Sequence, residues 1–212
     1  MAGVLQPSNM LATTDSGLIL FLFLFLVSSP FSLFSRTISQ LTTQDENMTE
    51  ACSHAVLSGT AKDWVLSTQP KTPGSNDPDY DHIRHMLAPN AILRFGHKYF
   101  VSTAPHLQHD ESPDDFVDRL KSMSAFLQTW HIDIVSVAAD VENHSAVVRA
   151  VFNMHAKNDP EVVQNEILFW CQMDESGRKV VESTEFVDPT ALMALKPKLE
   201  AAKEAEASRA HL

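Results

Sequence analysis

Apolar and polar positions alternate most regularly over residues 163–188, VQNEILFWCQMDESGRKVVESTEFVD. Two runs rich in β-branched and aromatic residues flank Asp174-Glu175-Ser176-Gly177, with glycine where a turn needs positive φ, and the pattern predicts a β-hairpin. Asn165, Ile167, Phe169, Cys171 and Met173 fall on one face of its first arm, and Gln164, Glu166, Leu168, Trp170 and Gln172 on the other. Counting back from the turn sets Thr184 opposite Phe169 and Glu185 opposite Leu168. Thr184 is then expected on the apolar face, with Glu185 pointing away. So long a hairpin needs a larger sheet and a cover for its apolar side.

The chain upstream supplies both. Apolar residues at Ala51, Ala55, Val56, Trp64 and Val65 predict a helix over 48–67, weakened at Gly59-Thr60. Residues 69–78, QPKTPGSNDP, read as a loop. Asp77 or Asp79 caps a short helix that ends before Pro89, with Tyr80, Ile83 and Leu87 on one stripe. Residues 91–101 read as a strand bent at Gly96. Ser112-Pro113-Asp114-Asp115 starts a helix expected to reach about Gln128, burying Phe116, Leu120, Met123 and Leu127. Strands at 131–141 and 145–156 join through Glu142-Asn143-His144, and 189–209 reads as a polar helix or tail. Helices grouped before a run of strands define an α+β fold. The expected shape is a cone, a curved antiparallel sheet covered by about three N-terminal helices.

Residues 1–47 differ in kind. They hold the run GLILFLFLFLVSS from Gly17 and one of the 16 basic residues, Arg36. The run is as long and apolar as the core of a signal peptide, but no basic residue precedes it and Asp15 does. Extended over 17–34 it approaches spanning length, broken by Pro30 and serines. The segment therefore reads as an anchor, a signal or a dispensable extension. The expected location is cytoplasmic, with membrane anchoring or secretion as the alternatives if 17–34 is a working anchor or signal. The expected domain covers 48–199, with a polar tail over 200–212.

A net charge of -11 disfavours nucleic acid and anionic membranes as partners. Only Cys52 and Cys171 are present, so neither a disulfide framework nor a cysteine zinc site is expected. Six glycines and no dinucleotide, phosphate-loop or nucleophile-elbow motif point away from a cofactor. The pairs His82/His85 and His106/His109 lack a third ligand at a defined offset, so no metal is expected.

The element order and three phrases resemble the nuclear transport factor 2-like superfamily, in its SnoaL-like branch. The phrases are LAPNAILRFG at 87–96, NEILFWCQMDESGRKV at 165–180 and EFVDP at 185–189, within a likeness covering about 48–199. The resemblance implies a cone holding a small apolar molecule and a homodimer formed through the sheet. Its members include scytalone dehydratase, ketosteroid isomerase, polyketide cyclases and non-catalytic proteins. Relatives often carry two adjacent acids where this chain has Thr184-Glu185.

Acid–base work in an apolar cavity needs a group whose pKa burial or a partner has moved. A strand histidine is catalytic in scytalone dehydratase-like relatives, which nominates His155, although Phe152 and Met154 compete for the same inner face. His97 follows Gly96 at the expected cone mouth, with Arg94 and Tyr99 nearby. His131 and Asp133 share a face but read as solvated. Asn165 is the best polar contact for substrate, as an amide that orients it or stabilises an oxyanion. Tyr80, Arg94, Phe169 and Thr184 complete the expected binding set. The reading is a cofactor-independent isomerase, cyclase or dehydratase acting on a small apolar biosynthetic intermediate. The alternative is a non-catalytic binding or dimerisation module of the same fold.

Overall fold

The computed structural model describes residues 52–72 and 75–209, so the expectations for 1–47 lie outside the described residues. Among those described, no helix is long and apolar enough to cross a membrane.

Helix α1 (His54–Ser67) begins where the Ser53 hydroxyl accepts the Val56 N–H. Its apolar stripe, Leu57, Ala61, Trp64 and Val65, recurs at helical spacing and is fully buried. Asp79 caps α2 (Tyr80–Met86) in the same way. Strand β1 (Leu87–Phe95) comes next, earlier and shorter at its far end than expected. The chain stops pairing at Gly96, where an added Cβ would lie 2.3 Å from the Phe186 ring. His97 turns left-handed at φ 59, and α3 (Lys98–Thr103) forms where the strand was expected to continue.

A 3-10 turn (Pro105–Leu107) leads to α4 (Pro113–Ser124), capped reciprocally by Ser112 and Asp115. This helix ends short of Gln128 because Leu127 already pairs with Ala156, opening β2 (Leu127–Asp140) earlier than expected. β3 (Ser145–Ala156), β4 (Val162–Met173) and β5 (Val180–Val187) follow, then α5 (Pro189–Arg209). The expected polar tail from 200 remains helical to Arg209, with Ala202 buried and Glu206 paired to Lys157 at 2.6 Å.

The sheet order is β1-β5-β4-β3-β2. Neighbours are antiparallel except β1 and β5, which run parallel, a long-range pairing the local pattern does not encode. The sheet is curved and open, and its inner face carries the core. Phe152 and Met154 of β3 point inward, so Asn153 and His155 point out.

One register differs from expectation. Met173 pairs with Val180, as the turn predicts, but Gln172 pairs with Glu182. Val181 is thus an extra residue in β5, and the slip reverses the faces of everything beyond it. Glu185 lies opposite Phe169 and faces inward. Thr184 lies opposite Trp170 and faces outward.

Candidate active site

Between the inner face of the sheet and helices α4 and α5 lies a cavity of about 380 Å³. Phe95, Phe152, Ile167 and Phe169 line it from the strands, Phe116 and Leu120 from α4, and Leu192 and Leu199 from α5. The wall is mainly apolar, within the size range of small-molecule sites.

Among the polar side chains that break that wall are Asn165, Arg119 and Glu185, set between the sheet and α4. Asn165 is 3% exposed, and its Oδ1 accepts the Asp188 N–H at 3.2 Å, tying β4 to the start of α5. Among the described residues, no acceptor lies within hydrogen-bond reach of the Asn165 Nδ2.

Arg119 donates from Nη2 to Glu185 Oε1 at 3.0 Å, and from Nε to both oxygens of Glu111 at 2.8 and 3.0 Å. Its guanidinium carbon also lies 4.8 Å from the Phe95 ring centroid and 4.9 Å from that of Phe116. Such stacking suits a planar guanidinium better than an ammonium. Glu111 reaches Arg119 because its backbone bridges to Leu93 at the sheet edge.

The electrostatics follow from burial. Glu185 is 7% exposed, and loss of hydration pushes its carboxyl above the ordinary value of 4.5. The charge and hydrogen bond of Arg119 pull it back, and Glu111 raises it further. Burial also opposes the charge of Arg119, but the two carboxylates outweigh it and hold the guanidinium protonated. Cys171, behind the cavity and fully buried, is pushed up to about 12 and is no nucleophile.

Of the residues nominated from sequence, Asn165 and Phe169 line the cavity and five others do not. His155 is turned out of the core, its Nε2 2.5 Å from the Asp159 carbonyl oxygen. His97 is exposed and meets the Phe186 ring edge-on at 5.3 Å. The Tyr80 hydroxyl lies 3.2 Å from Ser124 Oγ and 3.3 Å from Asp77. Arg94 pairs with Asp110 and Glu182, and Thr184 lies on the outer face beside Trp170. Glu111 and Arg119 carry no sequence pattern that nominates them. Glu185, expected to point away, faces inward through the register slip in β5. His131 does bond Asp133, at 3.1 Å, on the exposed face. Among the described residues no three His, Cys, Asp or Glu converge as a metal-binding group.

The chain has the nuclear transport factor 2-like cone fold. PrhC from Penicillium brasilianum is similar over 71% of this chain and 91% of its own, with 13% identity and a TM-score of 0.57. BvnE pinacolase from Penicillium brevicompactum matches over 69% and 92%, at 15% identity and a TM-score of 0.54. AusH from Aspergillus nidulans matches over 65% and 87%, at 13% identity and a TM-score of 0.53. At these identities the likeness is one of fold. No protein-family model and no curated protein sequence matches the chain.

Proposed function

We propose that the chain is a cofactor-independent isomerase, cyclase or dehydratase that moves protons on a small, largely apolar biosynthetic intermediate. The observation that carries this reading is Glu185, a buried carboxyl with a raised pKa in the wall of an apolar cavity. Such a group exchanges protons at a pH where an exposed carboxylate is a weak base. Arg119 fixes its position and Asn165 offers an amide to a substrate oxygen, a division of roles that replaces the one expected of His155 and His97. The phenylalanines shape the space and so select among conformers of a flexible substrate. Likeness of fold to a protein named a pinacolase supports reading the cavity as catalytic rather than as a store for ligand.

The test compares small-molecule extracts of the native host with and without the gene. A precursor accumulates without it, and purified protein added to that extract consumes the precursor. Matching profiles, under conditions where the gene is expressed, overturn the reading.

The outer sheet face fits the second partner expected from sequence, another copy of the chain. Trp170 there is 56% exposed and Leu168 is 40% exposed. Arg149 and Glu166 form a two-bond ion pair on the same face at 2.8 and 2.9 Å. Trp170→Glu is expected to convert a dimer to a monomer in analytical ultracentrifugation; an unchanged sedimentation coefficient contradicts this arrangement.

A further inference from the structure

Three ionisable groups meet at one wall of the cavity, the half-buried Arg119 between the buried Glu111 and Glu185, but only Arg119 and Glu185 line it. Glu111, 5% exposed, stands behind Arg119 and covers its Nε edge with both carboxylate oxygens. The backbone of Glu111 is fastened separately. Its N–H donates to the Leu93 carbonyl at 2.7 Å and its carbonyl accepts the Leu93 N–H at 3.0 Å. With Nε taken and the guanidinium plane held by two phenylalanine rings, Nη2 is the nitrogen left facing Glu185.

We propose that Glu111 is a positioning residue of this site: from outside the cavity it anchors Arg119 by the Nε edge, leaving Glu185 a single hydrogen bond from the guanidinium and a carboxyl open to a bound ligand. The proposal rests on the reading that Glu185 is the working carboxyl. A guanidinium with one carboxylate partner settles into a two-bond fork and keeps that partner ionised. A carboxylate held so is a poor proton acceptor near neutrality. Glu111 prevents this in two ways, by occupying one edge of the fork and by setting a second negative charge near Glu185. Burial of Glu185 then acts against a weakened attraction rather than a full one. The other titratable groups around Glu185 are Cys171 on β4, His106 in the 3-10 turn, and Lys196 and Glu200 on α5. None of these bonds to Arg119, so none substitutes for Glu111.

The test follows the Glu185 carboxyl by carbon NMR in the full chain labelled at glutamate, with Glu185→Gln identifying the resonance. Glu111→Gln is expected to lower the Glu185 titration midpoint by about one pH unit or more. Glu111→Asp keeps the charge but withdraws it by one methylene, and is expected to lower the midpoint by less. A merely structural role would lower the thermal midpoint and leave the titration where it was. An unshifted Glu185 midpoint in a folded Glu111→Gln variant overturns the proposal, and Glu111→Asp decides by the same criterion if Glu111→Gln does not fold. The titration uses free protein and so stands apart from turnover. A shifted midpoint in a protein that consumes no precursor upholds this inference and removes the proposed function. An unshifted midpoint in an active enzyme does the reverse.

Discussion

Glu185 stands directly across the β4–β5 pairing from Phe169, and the single bulged residue Val181 puts it there. Were Val181 paired with Gln172 instead of bulged, Thr184 would hold the inward position and the cavity would lose its one buried carboxylate. A local irregularity of the backbone thus determines which chemistry the wall presents. Arg119 then reaches Glu185 from α4 at 3.0 Å and joins helix to sheet at the same point.

The raised pKa of Glu185 has a consequence for stability. Between 4.5 and its folded value, the native state keeps a proton that the unfolded chain has lost. The contribution of this group is therefore full below 4.5 and declines as the pH climbs through the folded pKa. Asp79, Asp115, Asp140, Asp159 and Asp174 are shifted below their ordinary 3.8, so their contribution is present above that value and lost as the pH falls through the folded values. The two windows are separate. Urea midpoints measured from pH 4 to 8 are expected to decline in the wild type and to decline less in Glu185→Gln. Parallel curves would mean that Glu185 titrates normally.

Asn165 holds the start of α5 to the sheet through the Asp188 N–H. Asn165→Leu keeps the volume and strands that N–H, which costs about 1–3 kcal/mol. The expected result is a lower urea midpoint with an unchanged slope, and loss of affinity for the precursor in calorimetry. A neutral effect on both would remove Asn165 from the site.

Locally encoded features were legible in the sequence. Ser112 announced its helix through the proline and acids that follow it, and Gly177 marked the hairpin turn that forms at φ 70. The span of β3 and the inward face of Asn165 and Phe169 followed from period-two patterning. What depended on distant pairing was not legible. The parallel partnership of β1 with β5 involves strands separated by most of the domain, and Arg119 meets Glu185 across 66 residues. The bulge at Val181 left no local signal either, since Val180 and Val181 are both good strand residues. Histidines drew notice as chemical residue types, yet His97 and His155 stand where the sheet edge and a turn meet solvent. Glu111 and Glu185 differ from surface carboxylates by their burial, which depends on distant packing and not on neighbouring residues.

Helix α5 closes one side of the cavity, and its Lys198 reaches the β3–β4 connection. The Lys198 ammonium lies 2.9 Å from Asp159 and 3.0 Å from Glu161, just after Pro197 inside the helix. Lys198→Met is expected to raise amide exchange in the first half of α5 more than in the sheet. Equal protection in both variants would show that apolar packing alone holds the helix down.

The turnover number of Glu185→Gln, measured on the accumulated precursor beside the wild type, tests the central claim most directly. Glutamine keeps the size of the side chain and its hydrogen bond from Arg119 but cannot exchange the proton. The account predicts a fall in kcat of about 10²-fold or more, the scale of general acid–base catalysis, with KM little changed. Turnover near the wild-type value would place the chemistry elsewhere in the molecule.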